Sequence, residues 1–240
     1  MGATRAKWRG NQLAFYDGTT YETVRPVAPR VLIEDFEGDT LNTDKWLYSS
    51  TANEDTQAVN IGDAVLTFTA DVTQQESGVL AAGNSLDWDP TKGLIYEARL
   101  RLSVLPTLLT EAHWGFLGEA QVDDKQICSA EDYLKECVFT ADGSGIITIN
   151  CDDNVAGAQH AVATGVTVLA TDYHVYKIDI TNIADIKFYI DGVGVATGTT
   201  FTLDSLVADT LQPVAFLTKN ADAGLGTMLL DYIRVWQATR

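Results

Sequence analysis

From residue 31 onward, apolar and β-branched residues come in short runs, cut every few positions by clusters of Gly, Asp, Asn and Thr. Residues 31–36, 65–70, 78–82, 94–103, 112–117, 137–141 and 146–151 are such runs. Residues 175–181, 186–190, 193–197, 213–218 and 228–237 continue the series. Runs this short, bounded by turn formers such as Asp142-Gly143-Ser144-Gly145 and Asp191-Gly192, read as antiparallel strands. The run from residue 94 alternates cleanly. Leu94, Tyr96, Ala98, Leu100 and Leu102 share one face, and Ile95, Glu97, Arg99 and Arg101 the other, as in a sheet with one buried side. Only residues 129–136 have a helical pattern, with Ser129 as N-cap and Asp132 closing a capping-box-like pair. Strands without helices must bury one sheet against another, so the expected fold class is all-β, a two-sheet antiparallel β-sandwich.

Composition narrows the function classes. The 240 residues include 33 Asp+Glu and 16 Lys+Arg, a net charge of −17, with 46% apolar and 20% charged residues. That apolar content excludes disorder. The acidity excludes a general nucleic-acid binder, because phosphates would be repelled. No apolar run approaches the ~20 residues of a membrane-spanning helix, so no membrane partner is expected.

The charge is unevenly spread. Residues 1–30 carry five bases against two acids, whereas residues 31–240 carry eleven bases against 31 acids. The first thirty residues read as a separate β-ribbon arm. Turns at Arg9-Gly10-Asn11 and Asp17-Gly18 separate runs 13–16 and 21–24, and Pro26 and Pro29 favour an extended linker. The expected organisation is therefore an arm over 1–30 and a sandwich over 31–240. A ribbon of this size cannot stand alone; it must pack on its own body or on a neighbour. The opening MGATRAKW lacks the apolar core of a secretory signal, so synthesis in the cytoplasm without export is expected. Cys128, Cys137 and Cys151 are odd in number and lack CxxC spacing. They are expected as reduced thiols, with a Cys128–Cys137 bridge open to them under oxidising conditions.

Four segments resemble the concanavalin A-like lectin/glucanase superfamily, and within it the laminarinase and lichenase glycoside hydrolases. They are Phe36-Glu-Gly-Asp-Thr-Leu-Asn-Thr-Asp-Lys-Trp46, Gly93-Leu-Ile-Tyr-Glu-Ala-Arg-Leu-Arg101, the pair His174-Val-Tyr-Lys-Ile-Asp-Ile and Ile186-Lys-Phe-Tyr-Ile-Asp-Gly192, and Leu230-Asp-Tyr-Ile-Arg-Val-Trp236. The resemblance implies a concanavalin A-like jelly roll, with Trp46, Tyr176 and Tyr232 in its core. It also implies a strand bearing E-x-D-x-E after Glu111-Ala-His-Trp-Gly-Phe-Leu-Gly-Glu119, whose outer glutamates would project into a cleft at a retaining separation. No E-x-D-x-E occurs in the chain, and Glu131, Asp132 and Glu136 have the wrong spacing. The expectation is that the chain is not an enzyme. The same resemblance marks Asp231 as a candidate ligand for a structural calcium, with carbonyls from residues 36–39. Trp88, Tyr96 and Trp114 are candidate glycan-stacking aromatics.

With catalysis set aside, the arm stands out. Trp8, Phe15, Tyr16 and Tyr21 accompany Arg5, Lys7 and Arg9, and aromatics with Arg are frequent interface anchors. The opening also resembles virion proteins of tailed bacteriophages. The leading expectation is a capsid decoration or cement protein of a phage particle. It would dock through the arm onto the major capsid protein or another virion protein, as a homo-oligomer with a trimer favoured, and be located in the virion. The alternative is a carbohydrate-binding module recognising bacterial surface glycans, and the third reading is a glycoside hydrolase.

Overall fold

A computed structural model describes residues 5–9, 12–16, 23–24, 30–36, 41–42, 46–49, 58–60, 65–70, 76–82, 88–107, 110–118, 135–153, 159–204, 210–219 and 225–237. The strands in chain order are β1 Arg5–Arg9, β2 Gln12–Tyr16, β3 Thr23–Val24, β4 Val31–Glu34, β5 Trp46–Ser49 and β6 Ala58–Asn60. They continue with β7 Val65–Ala70, β8 Glu76–Ala82, β9 Leu94–Val104, β10 Thr110–Gly118, β11 Glu136–Ala141 and β12 Ile146–Asp152. The last six are β13 Gln159–Thr167, β14 His174–Ile180, β15 Lys187–Ile190, β16 Val193–Val195, β17 Leu211–Lys219 and β18 Gly226–Gln237. One turn of 3₁₀-helix, Pro90–Lys92, is capped by Asp89, whose carboxylate accepts from the Thr91 amide.

Two antiparallel sheets form the sandwich. The seven-stranded sheet runs β13-β12-β11-β10-β17-β8-β5. The eight-stranded sheet runs β16-β15-β14-β9-β18-β7-β6, with β4 also pairing with β18. In β9 the even residues from Leu94 to Leu102 are buried and the odd ones half-exposed. Its alternation thus sets which side meets the other sheet. Between the sheets lies an aromatic seam. The Trp114 and Tyr176 rings stand edge to face at 4.7 Å, Phe139 meets Tyr176 at 5.2 Å and Phe188 at 5.3 Å, and Tyr96 meets Phe116 at 5.4 Å. Each such pair adds about 0.5–1.5 kcal/mol beyond its area burial.

Four strands escape the sequence pattern. β13 (QHAVATGVT) is an edge strand of small residues, and β6 has three residues. In β1 apolar positions alternate with basic ones, and β5 directly follows a turn-rich stretch. Glu136 opens β11 rather than closing a helix; residues 129–134 lie outside the described residues.

Tyr232 also departs from expectation. Trp46 and Tyr176 are buried as expected, but Tyr232 is half-exposed, its hydroxyl donating to Glu97 at 3.1 Å. The cause is a bulge. Leu230 faces Leu100 while Tyr232 faces Arg99, so one extra residue enters β18 and reverses the facing of the residues after it. Burial accordingly passes from Met228 and Leu230 to Ile233 and Val235.

The N-terminal strands form a sheet of their own, order β1-β2-β3. Arg5 lies opposite Tyr16, Ala6 opposite Phe15, Trp8 opposite Leu13, and Phe15 opposite Val24. Tyr21 lies outside the described residues. Among the described residues no helix is long and apolar enough to cross a membrane.

Candidate functional site

The seven-stranded sheet turns Ala112, Trp114 and Phe116 of β10, and Cys137, Phe139 and Ala141 of β11, into the core. Strand alternation therefore puts Glu111 and His113, then Glu136, Val138 and Thr140, on its outer face. Asn150 and Asp152 of β12, opposite Val138 and Glu136, join them, as do Gln212 and Phe216 of β17. This outer face gathers polar side chains on four adjacent strands.

At one end they form a relay. His113 is 3% exposed and stacks on Phe216, ring centroids 4.8 Å apart. Its Nε2 lies 3.3 Å from Glu111 Oε2 and its Nδ1 3.3 Å from Thr140 Oγ1. Asn150 Nδ2 donates to Thr140 Oγ1 at 3.3 Å, while Asn150 Oδ1 accepts from the Ala161 amide at 2.6 Å. Asn150 Nδ2–H occupies one lone pair of the Thr140 hydroxyl, and His113 Nε2 faces the Glu111 carboxylate in a side-chain hydrogen bond. That hydrogen bond holds the Glu111 carboxyl below its ordinary value, against the opposite push of burial. Glu111 is half-exposed: an oriented, ionised carboxylate with a buried support.

At the other end are the acids Glu136, 2% exposed, and Asp152, half-buried. They are directly opposed in the β11–β12 register, which sets their Cβ atoms about 4.5–5.5 Å apart. Glu111 and Glu136 cannot work as a pair. Glu136 faces Leu117 across β10, six residues from Glu111, or roughly 20 Å along the strand. Glycosidic carboxyl pairs need about 5–9.5 Å. Glu136 and Asp152 are the one opposed acid pair on the described outer face. The sequence signal for it was the alternation Glu136-x-Val138-x-Thr140, masked by the helical reading of residues 129–136. The strand next to β10 thus opens on a glutamate, with Val138 and Thr140 at its next two outer positions.

The aromatics read as glycan-stacking are not on this face. Trp88, Tyr96 and Trp114 are each 0% exposed, so no pyranose can lie against them; this expectation is corrected. Trp88 exchanges both backbone hydrogen bonds with Leu211 and lies under the Arg30 guanidinium at 4.9 Å. Tyr96 donates to the Val214 carbonyl at 3.3 Å, and its burial pushes the phenol pKa well up. Trp114 sits in the aromatic seam. These are the large side chains that fill the space between the sheets.

Asp231 lies beside a cation of the chain itself. Its Oδ2 accepts a hydrogen bond from Arg99 Nη1. The Arg99 guanidinium also lies 4.5 Å from the Tyr173 ring. Among the described residues no group of three or more His, Cys, Asp or Glu is placed to hold a metal. Residues 37–39, read as carbonyl donors, lie outside the described residues. Of the arm, the backbones of Arg5, Lys7, Trp8, Arg9, Phe15 and Tyr16 are described and their side chains are not.

No family model matches the chain, and no curated protein matches its sequence. Solved structures do match. An endo-β-1,3-glucanase from Pyrococcus furiosus superposes with a TM-score of 0.59 at 16% identity, covering 97% of both chains. The catalytic domain of an endo-1,3-β-glucanase (laminarinase) from Thermotoga petrophila gives 0.57 at 13% identity, over 87% of this chain and 98% of that one. An immunostimulatory antigen and pseudo β-1,3-glucanase of Mycobacterium tuberculosis gives 0.55 at 15% identity, over 86% and 98%. The expectation of a non-enzymatic protein is corrected by these matches. Proteins described as endo-1,3-β-glucanases share this architecture across nearly the whole chain. Identity this low carries the fold alone: the chain is a concanavalin A-like sandwich of the kind on which endo-1,3-β-glucanases are built.

Proposed function

We propose that this chain is a glycan-directed component of a bacteriophage particle. Its N-terminal ribbon docks it to a virion protein, and its glucanase-like sandwich meets a carbohydrate chain. The observation that carries the reading is the division into two unlike parts. A three-stranded sheet of its own, in a segment with five bases and two acids, precedes a strongly acidic sandwich. The segment combines Trp8, Phe15 and Tyr16 with Arg5, Lys7 and Arg9, a composition suited to anchoring. The sandwich has the architecture of glucanases, and Glu111 stands half-exposed and ionised on its seven-stranded sheet.

Two measurements test the two halves separately. Removing residues 1–30 should leave a folded sandwich that no longer sediments with particles; retained co-sedimentation overturns the docking role. The body should bind, or release reducing ends from, at least one of a panel of β-1,3-glucan, mixed-linkage glucan and bacterial surface glycans. E111Q should lower that signal at least tenfold. Silence across the panel, or an E111Q variant equal to the parent, overturns the glycan role.

A further inference from the structure

The structure assigns Cys137 and Cys151 as a cross-strand thiol pair that a low-molecular-weight disulfide converts to a disulfide bridge, stapling β11 to β12. Three observations carry this. The two residues are directly opposed in the β11–β12 register. Directly opposed antiparallel residues have Cα atoms about 4.5–5.5 Å apart, inside the span a disulfide accepts. Their Sγ atoms already lie 3.9 Å apart, both pointing into the core. A change of side-chain torsion, with no movement of the strands, closes the remaining gap to about 2.05 Å. Among the described residues no third ligand stands by to make the pair a metal site. The sequence left a Cys128–Cys137 bridge open; Cys128 lies outside the described residues, and the β11–β12 register sets Cys151 opposite Cys137.

The reaction balances as two exchange steps. The Cys151 thiol loses its proton and attacks one sulfur of the small disulfide, releasing one small thiol and leaving a mixed disulfide. Cys137 then loses its proton and displaces the second small thiol, forming the protein S–S bond. Two protein thiols are oxidised and one small disulfide is reduced to two thiols. Cys151 goes first because of where it lies. It is 2% exposed against 0% for Cys137, and β12 is covered laterally only by the edge strand β13. The β12–β13 register slips between Ile149 and Cys151, a weak point at which the edge can open. In the closed sandwich, burial pushes the Cys137 thiol pKa well up, and the neighbouring Cys151 adds to this. The thiolate that exchange requires is therefore scarce until the edge opens. Bridging is slow in the native protein and fast while the chain is folding.

The test uses the full chain and oxidised glutathione. Refolding from urea with oxidised glutathione should give a species whose non-reducing peptide map links Cys137 to Cys151. Incubation of the native protein should reach the same link far more slowly, accelerating at least tenfold in sub-denaturing urea. The bridge closes a loop of about 15 residues, so the oxidised form should melt roughly 5–10 °C higher than the reduced form. C128S leaves the core pair untouched and should bridge equally well. Predominant links to Cys128, glutathione retained on Cys137 or Cys151, thiols still reduced after refolding, or a bridged form that melts no higher would each overturn the assignment.

Discussion

At the residue scale, the sites most sensitive to substitution are those where backbone and neighbour leave no room. Gly115 lies on β10 with φ +145°, and an added Cβ would stand 2.4 Å from the Cys137 carbonyl oxygen and 2.8 Å from the Val138 Cα. Both neighbours are backbone of the adjacent strand, so neither can swing away. G115A should cost at least about 2 kcal/mol, read as a lower urea midpoint, because relief requires separating β10 from β11. Glu111 offers a second residue-scale prediction, in pH. Its folded pKa lies below the ordinary 4.5, so its contribution to stability is complete above that value. It is lost as pH falls through the lower folded value. Acid unfolding followed by circular dichroism should therefore fall more steeply below pH 4.5 in the parent than in E111Q, which has no carboxyl to protonate. The positions where sequence misleads are at this scale too. Trp88, Tyr96 and Trp114 are as well suited to a sugar as to a core, and only their burial tells the two apart.

At the element scale, hairpins carry local chemistry that a sequence states openly. The β15–β16 turn places Asp191 at φ +50° and Gly192 at φ +77°, the left-handed pair that a two-residue hairpin demands. Asp191 has a second task. Its Oδ1 accepts from the Val175 amide at 2.8 Å, and its Oδ2 lies 2.7 Å from His174 Nδ1, tying the turn to β14. D191V should cost about 2–3 kcal/mol in thermal or urea unfolding, because a β-branched residue is strained at positive φ and both acceptors are lost. D191N, which tolerates that backbone and keeps one acceptor, should cost less than half as much. The β18 bulge is the contrasting case. Nothing in Met228-Leu-Leu-Asp-Tyr-Ile-Arg-Val-Trp announces that the alternation breaks between Leu230 and Tyr232. The break arises because β18 must pair with β9 on one side and with both β7 and β4 on the other. The helical reading of residues 129–136 failed at Glu136 for a related reason: its partners are Leu117 and Asp152, far away in sequence.

At the scale of the whole molecule, charge is the dominant long-range term. A net charge of −17 repels itself across an acidic sandwich, and salt screens that repulsion over about 10 Å at 0.1 M. The melting temperature should therefore rise by a few degrees between about 10 mM and 150 mM sodium chloride, measured by scanning calorimetry. A chain lacking residues 1–30 loses five bases and only two acids, so its salt response should be larger. An unchanged melting temperature across that range would mean the acids are already spaced or paired enough not to matter. On the eight-stranded face such pairing is visible: Arg99 with Asp231, Arg234 with Glu97 at 3.5 Å, and Lys177 with Asp179 at 3.4 Å.

What the sequence determined by itself is the strand-and-turn content, the buried face of β9, the Asp191-Gly192 hairpin and the all-β sandwich. These come from two-residue periodicity and turn chemistry, which act between neighbours in the chain. What only the tertiary structure decided is which strands lie side by side and in what register. Register set Cys137 opposite Cys151 and Glu136 opposite Asp152, gave Arg99 to Asp231, and moved Tyr232 out of the core. Each is a relation between strands that are separate in sequence. Its energy comes from packing one sheet on the other, a cooperative choice that no single run of residues encodes.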